Sequence, residues 1–133
     1  MAFRRRNGKY NARKVKTEDG SFMSKKELKR WTELKLQEEA GVISDLRKQV
    51  KFVLIPAQRE PDHMDYSKSS RGRLVAGKLL EREVSYIADF VYIKDGKQIV
   101  EDAKGLRKGN AYDLFVVKRK MMLYFHRIKV QEV

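Results

Sequence analysis

The dipeptide Asp95-Gly96 constrains the fold of this chain more than any other feature of its sequence. Between two strand-forming runs, this pair predicts a two-residue β-turn, because Asp and Gly readily adopt the positive φ angles that such a turn requires. The run at 79–93 is apolar towards its end and predicts a long strand, and 97–104 predicts the returning strand. The turn therefore predicts an antiparallel hairpin with a fixed register.

The register of this hairpin brings two acidic residues together. With 95 and 96 in the loop, Asp89 faces Asp102 and Ile87 faces Lys104, all on one side of the strand pair. Opposed carboxylates in an otherwise apolar pair repel each other, so the arrangement favours a positive charge between them. Lys104 supplies one charge, and a divalent cation would supply more. Paired carboxylate oxygens suit Mg²⁺ or Mn²⁺.

A helix is predicted before the hairpin, over residues 24–40. Ser24-Lys25-Lys26-Glu27 matches a capping box, in which Ser24 accepts a backbone hydrogen bond at the start of the helix. Gly41 marks its end. The predicted apolar stripe of this helix consists of Leu28, Trp31, Leu34 and Leu36.

The remaining segments complete an α/β pattern. Residues 50–55 predict a short strand, and 56–78, with both prolines, predict an irregular insertion. Residues 112–125 predict a second helix, and 127–133 a closing strand. The expected apolar face of the second helix holds Leu114, Val117, Met121 and Phe125. We therefore expect one α/β domain, residues 21–133, with a mixed central sheet flanked by helices.

Charge indicates a polyanionic partner. The 133 residues carry a net charge of +13, and both ends of the chain are strongly basic. Residues 1–20 predict a flexible basic arm, with Arg4, Arg5 and Arg6 as phosphate contacts. The absence of Cys excludes disulfides, thiolate metal sites and cysteine nucleophiles. No apolar run is long enough to span a membrane and no secretory signal is visible, so we expect a cytoplasmic protein without membrane contact.

Three segments carry a resemblance to a known group of enzymes. Asp89, followed after the hairpin by Asp102-Ala103-Lys104, resembles the signature of the PD-(D/E)XK nuclease superfamily. Together, the segments 24–27, 86–90 and 100–105 are similar to those of small phage-encoded nucleases that include Holliday-junction resolvases. The similarity covers about residues 20–133. Ala88 stands where these enzymes usually have Pro.

The resemblance implies a restriction-endonuclease-like core and a metal-dependent cut in DNA. Asp89 and Asp102 would hold one or two Mg²⁺ or Mn²⁺ ions with the Ala103 carbonyl. Lys104 would act on the attacking water, and Glu27 would complete the catalytic and metal-binding set. The expected substrate is a four-way DNA junction in the host cytoplasm, cut by a homodimer, because two symmetric cuts need two sites. DNA contacts are expected at Arg4, Arg5, Arg6, Lys25, Lys29, Arg107, Lys108 and Lys118.

Alternatives remain open at this stage. Asp89 and Lys104 could form a buried ion pair, and Glu27 could serve only as a capping residue. Glu101 points away from Asp102, which favours a structural or outer role, and Gln49 is a weaker candidate near the site. Other functions are a branched-DNA, nicking or transposon-end nuclease of the same fold, or a nucleic-acid-binding protein without catalysis.

Overall fold

The computed structural model describes residues 15–17, 20–22 and 24–133, which form a mixed α/β arrangement. Its elements in chain order are β1 (Val15–Thr17), β2 (Gly20–Phe22), α1 (Lys25–Glu39), β3 (Ser44–Ile55), β4 (Gln58–Arg59), β5 (His63–Asp65), β6 (Arg73–Val75), β7 (Leu79–Glu81), β8 (Val84–Lys94), β9 (Lys97–Asp102), α2 (Asn110–His126) and β10 (Gln131–Glu132).

Four strands form the central sheet, in the order β10-β9-β8-β3. β8 pairs antiparallel with both β3 and β9, whereas β10 runs parallel to β9. The predicted mixed sheet is therefore confirmed. The two helices cover opposite faces, since the adjacent residues Phe90 and Val91 belong to separate hydrophobic clusters. Trp31 and Leu34 of α1 pack with Phe90 and Tyr92, while Phe115 and Met122 of α2 pack with Val91 and Val100.

The Asp95-Gly96 turn is confirmed. Asp95 has φ 51° and Gly96 has φ 75°, as a two-residue hairpin turn requires. Pairing follows the predicted register from Lys94 opposite Lys97 as far as Phe90 opposite Glu101. The predicted pairs Asp89–Asp102 and Ile87–Lys104 are not part of the ladder, because pairing stops at Phe90–Glu101 and β9 ends at Asp102.

Helix α1 begins as its capping sequence predicts. The Ser24 hydroxyl accepts a hydrogen bond from the Glu27 backbone N–H at 3.1 Å. Leu36 was expected in the apolar stripe but is 62% exposed. The reason is geometric, since two residues in a helix are separated by about 200° and Leu34 already faces the core.

Two strand boundaries differ from the predictions. β3 begins at Ser44, six residues before the predicted strand, because it is an edge strand of the central sheet whose outer positions tolerate polar side chains. The predicted long strand from residue 79 is divided into β7 and β8. β7 pairs with β4 instead of joining the sheet.

Residues 56–78 are not irregular. They contain β4, β5 and β6, and β5 pairs with β6 while β4 pairs with β7. We call residues 56–83 the ribbon, since they form a two-stranded extension between β3 and β8. Short ladders separated by turn residues explain why an alternating strand pattern is hard to recognise in this stretch.

The predicted buried face of α2 is wrong. Phe115 and Met122 are buried, whereas Leu114, Val117 and Phe125 are about half exposed. Because α2 is apolar on both sides, the periodicity of its sequence cannot select the face that meets the sheet.

The predicted closing strand is also shorter than expected. Only Gln131–Glu132 is a strand, because the chain leaves α2 through Arg127 in the left-handed region, at φ 59°. It then crosses to the edge of the sheet as an irregular segment in which Val130 is buried.

The N-terminal segment is described only in part. The predicted phosphate contacts Arg4, Arg5 and Arg6 lie outside the described residues. β1 pairs antiparallel with β2, so regular structure is present within the segment 1–20 that was predicted to be a flexible arm. In the part of the chain that the structure describes, neither helix has the length and apolar character needed to cross a membrane.

Candidate active site

The side chains of β8 do not alternate regularly between the two faces of the sheet around Asp89. Tyr86 and Tyr92 are six positions apart and would share one face of a regular strand. Instead, the Tyr92 hydroxyl donates to Glu101 and the Tyr86 hydroxyl donates to Asp102, both at 2.6 Å. Glu101 and Asp102 are neighbours on opposite faces of β9. The regular alternation of β8 side chains is therefore interrupted between Tyr86 and Tyr92, so the two tyrosines lie on opposite faces of the sheet. Asp89 lies within this part of the strand.

The carboxylate of Asp89 forms hydrogen bonds with residues of β3 and α1 and with the residue that follows β9. Its Oδ2 accepts the Ala103 backbone N–H at 2.8 Å, and its Oδ1 accepts the Gln49 side-chain amide at 3.3 Å. It also shares a hydrogen bond with the Glu27 side chain. Burial, and next the Glu27 hydrogen bond, raise the pKa of Asp89 to about 7, although the Ala103 N–H opposes the increase.

Gln49 lies on β3 opposite this part of β8, between the pairs Lys48–Phe90 and Val50–Ala88. Its φ is 54°, which is uncommon for a residue other than glycine and indicates local strain. The strained conformation occurs where its side chain reaches Asp89. From sequence alone, Gln49 was only a weak candidate for a position near the site.

Asp102 is almost fully buried, with 3% of its surface exposed. Its Oδ2 accepts the Tyr86 hydroxyl, and its Oδ1 forms an ion pair with Lys104 Nζ at 2.8 Å. Burial and the charge of Asp89 raise the pKa of Asp102, while Lys104 and Tyr86 oppose that increase. Burial and the Asp102 charge also raise the pKa of Tyr86, which keeps its hydroxyl protonated as a donor.

Lys104 pairs with Asp102 rather than with Asp89, which argues against the simple Asp89–Lys104 ion pair. Its ammonium group lies 4.0 Å from the centre of the Phe115 ring, so α2 also positions it. Lys26 Nζ donates to the Lys104 carbonyl at 2.6 Å and joins α1 to the end of β9. Sequence reasoning missed Lys26, because its partner is a backbone carbonyl that no side-chain motif identifies.

Glu27 is brought to the site by the first turn of α1. It is 5% exposed, and its side chain meets Asp89 while its backbone N–H is held by Ser24. The capping interaction and the approach to Asp89 therefore coexist in one residue. The structure thus brings together the four predicted catalytic residues, Glu27, Asp89, Asp102 and Lys104.

A cavity of about 300 Å³ opens beside this group, between β8 and α2. Asp102 and Lys104 line it, together with Lys118, Phe115 and the exposed Ile87. Among the predicted DNA contacts that the structure describes, only Lys118 lines this cavity with Asp102 and Lys104.

The other predicted DNA contacts are more dispersed. Lys25 and Lys29 are exposed on α1, and Lys108 is exposed shortly before α2. Arg107 forms an ion pair with Glu132, at 3.6 Å between Nε and Oε2. None of these four residues lines the cavity that Asp102 and Lys104 line.

The donor atoms fit a hard divalent cation. Asp89, Asp102 and the Ala103 carbonyl would supply oxygen ligands, and Mg²⁺ commonly uses one or two carboxylates with water completing its shell. Across residues 24–133, no three His, Cys, Asp or Glu side chains form a ready-made metal cluster. Burial is the main cause of the raised pKa values of Asp89 and Asp102, and the charge of Asp89 adds to the increase at Asp102. A bound cation would favour the ionised form of both carboxylates.

A second buried acid lies on the other face of β9. Glu101 is 1% exposed, and it accepts the Tyr92 hydroxyl and the guanidinium of Arg30, whose Nε is 2.8 Å from Oε2. This ion pair fixes α1 on the sheet and agrees with the structural role expected for Glu101. Arg30 was not predicted as its partner, since the two residues are distant in sequence.

The fold and site define a mixed α/β domain with a carboxylate–lysine group at the end of its central hairpin. Residues 7–132 match the model of a family described as "Protein of unknown function (DUF1064)". The chain belongs to this family. Neither the curated proteins nor the solved structures contain a match to the chain.

Proposed function

We propose that this protein is a Mg²⁺-dependent endonuclease of the PD-(D/E)XK type that cuts branched DNA, with the four-way junction as its preferred substrate. The supporting observation is the convergence of Asp89, Asp102 and Lys104 beside an open cavity. Binding alone does not require a half-buried Asp89 and a buried Asp102, both with raised pKa values, in a chain of net charge +13. Hydrolysis of a phosphodiester requires charge stabilisation and an activated water, and a metal held by these acids would supply both.

Each residue has a distinct task in the proposed reaction. Asp89, Asp102 and the Ala103 carbonyl would hold Mg²⁺, which when bound would offset the phosphate charge and acidify a water. Tyr86 keeps Asp102 oriented through Oδ2, so that Oδ1 faces Lys104 and the cavity. The Lys104 ammonium would stabilise the negative charge that develops on the phosphate. Glu27, next to Asp89, would complete the catalytic and metal-binding set.

The substrate class follows from charge and symmetry. Phosphate contacts dominate affinity without reading bases, which suits recognition of a junction by its shape. Lys118 lies in the cavity and would bind the phosphate next to the cut. Two symmetric cuts require two active sites, so we propose a homodimer with twofold symmetry.

The test compares four-way junctions, flaps and linear duplex as substrates, each with Mg²⁺ or EDTA. We expect Mg²⁺-dependent cleavage of the junction in preference to duplex, and loss of cleavage in Asp102→Ala and Lys104→Ala. Asp113→Asn is the matched control, because Asp113 is an exposed acid in the first turn of α2. The proposal fails if the wild type cuts no DNA in a metal-dependent manner. If linear duplex is cut as fast as the junction, only the junction preference is wrong and the nuclease proposal stands.

A second candidate is a nucleic-acid-binding protein without catalysis. One observation favours it: all four carboxylate oxygens of Asp89 and Asp102 already accept a donor from the chain itself. In that case, the wild type binds junctions without cutting them. Asp102→Ala then binds more tightly, because a negative charge is removed.

A further inference from the structure

The ribbon, residues 56–83, extends from the ends of β3 and β8 as a pair of short ladders. The inner ladder pairs β4 with β7, and the outer ladder pairs β5 with β6, from His63 opposite Val75 to Asp65 opposite Arg73. None of the four predicted catalytic residues lies in it. It therefore needs an explanation separate from the chemistry of the site.

The junction between the two ladders is held by close backbone contacts. Gly77 lies so near the opposite strand that a Cβ there would overlap the Glu60 carbonyl. Its N–H donates to Asp62 at 3.1 Å, and its carbonyl accepts from Arg59 at 3.3 Å. The Glu60 N–H donates to the Lys78 carbonyl at 2.9 Å. These contacts favour a ribbon of defined direction.

The tip of the ribbon, residues 66–72, is also an ordered turn. The Ser67 N–H donates to Asp65 at 2.9 Å, and the Arg71 N–H donates to the Ser69 hydroxyl at 3.2 Å. Gly72 has φ 68° and lies against the Tyr66 ring, where a side chain would collide. Tyr66 itself is 62% exposed, so the tip presents an aromatic surface to solvent.

The outer ladder and tip of the ribbon, residues 63–75, carry three basic residues and one acidic residue, Asp65. Between Asp65 and Glu81 the chain has four basic residues and no acidic residue. The four are Lys68, Arg71, Arg73 and Lys78. Arg73 has Asp65 as a distant partner at 3.9 Å. Within the described part of the chain, no carboxylate lies at ion-pair distance from Lys68 or Arg71, which are both exposed.

We propose that the ribbon is a DNA-binding arm whose tip enters a groove of duplex DNA, with Lys68 and Arg71 on the phosphates. This inference rests on the proposed function, which identifies the polyanion as DNA. A two-stranded β-ribbon fits the major groove, and ribbon proteins use this geometry. The unpaired cations match phosphates. The ribbon would therefore grip one duplex arm beside the bond that is cut.

The test is the salt dependence of DNA binding in EDTA, so that no cleavage occurs. The variant Lys68→Gln/Arg71→Gln is compared with the control Lys94→Gln/Lys97→Gln, which removes the same charge from the exposed β8–β9 hairpin. Fluorescence anisotropy with a labelled duplex and a labelled junction gives Kd between about 50 and 200 mM salt. Each lost phosphate contact lowers the slope of log Kd against log salt by about 0.9.

For the ribbon variant we expect a slope lower by about 2 and an affinity reduced about tenfold or more for both DNAs. The DNA affinity of the control should stay within about twofold of that of the wild type, because the control loses net charge but no phosphate contact. Equal slopes for the two variants would overturn the proposal. A change in self-association, measured by sedimentation, with unchanged DNA binding would assign the ribbon to a second copy of the chain and would also overturn it.

Failure of this inference is distinguishable from failure of the proposed function. If the wild type never cleaves but the ribbon variant loses DNA affinity and slope, the arm is supported and the nuclease proposal fails. If the wild type cleaves junctions and the two variants bind alike, the nuclease proposal is supported and the arm fails. Thermal melts of both variants check that folding is intact, as expected for exposed side chains.

Discussion

Replacing Asp89 by Asn should stabilise the metal-free protein. In the wild type, Asp89 lies beside Glu27 and near Asp102, and its pKa is raised to about 7 from 3.8. Above pH 7 its carboxylate is therefore ionised in surroundings that favour the neutral form. Asn has nearly the same shape and no charge. Its oxygen can still accept the Ala103 N–H, and its amide can donate to Glu27.

The size of the effect follows from proton linkage. A difference between about 7 and 3.8 corresponds to about 4 kcal/mol when the group is fully ionised in both states. Because Asp89 is only half-buried, we expect a gain in the free energy of unfolding of about 2–4 kcal/mol at pH 8. Between these pKa values the folded wild type binds more protons than the unfolded chain, so its stability falls as pH rises. The advantage of Asn therefore shrinks below pH 7 and disappears near pH 3.8.

The assay is urea denaturation of both proteins in EDTA at several pH values, repeated with Mg²⁺. Bound Mg²⁺ should stabilise the wild type by about 2.7 kcal/mol at a hundred times its Kd, and the Asn variant much less. Asp113→Asn is the control. It should lower stability slightly, because an acid is lost from the N-terminus of α2. If Asp89→Asn is less stable than the wild type at pH 8, the carboxylate is favourably paired and the reasoning is refuted.

Three further variants test separate parts of the structure. Glu101→Gln should cost about 3 kcal/mol in urea denaturation by removing the buried charged partner of Arg30, which then keeps only the more exposed Glu33, and a neutral effect would contradict this. Tyr86→Phe should weaken Mg²⁺ binding about tenfold in calorimetry by freeing Asp102 Oδ2, while stability falls by only about 1 kcal/mol. Gly77→Ala should increase amide hydrogen exchange within the ribbon and leave the central sheet protected; unchanged exchange would show that the close backbone contact is not required.

Local signals in the sequence predicted the parts of the fold that short-range chemistry determines. The turn at Asp95-Gly96 fixes its own φ angles and the register of the hairpin, and Ser24 fixes the start of α1. The cap also brings Glu27 to the start of α1, where its side chain meets Asp89. The predicted Asp89–Asp102 pair lies beyond the last pair of the ladder, Phe90–Glu101, and Asp89 instead accepts the backbone N–H of Ala103.

Features that depend on distant contacts could not be predicted in the same way. The buried face of α2 is set by the sheet, and Leu114 and Phe115 are equally apolar in sequence. The interrupted alternation in β8 occurs opposite Gln49 of another strand, whose strained conformation no local motif indicates. The ribbon depends on Gly77 approaching a strand about 17 residues away in the chain, and composition in that stretch indicates only turns.

The two buried acids of β9, Glu101 and Asp102, differ in how their carboxylate oxygens are bound, and this difference makes Asp102 the better metal ligand. Both accept a tyrosine hydroxyl, and both have a basic partner. Arg30 binds Glu101 through two nitrogens, Nε to one oxygen and Nη2 to the other, so this carboxylate is saturated by a rigid fork. Lys104 reaches only one oxygen of Asp102 through a flexible stem, beside a cavity. A cation that entered there could displace the ammonium from Oδ1 without breaking the Tyr86 bond. The lysine would stay nearby, which is where the proposed reaction needs its charge.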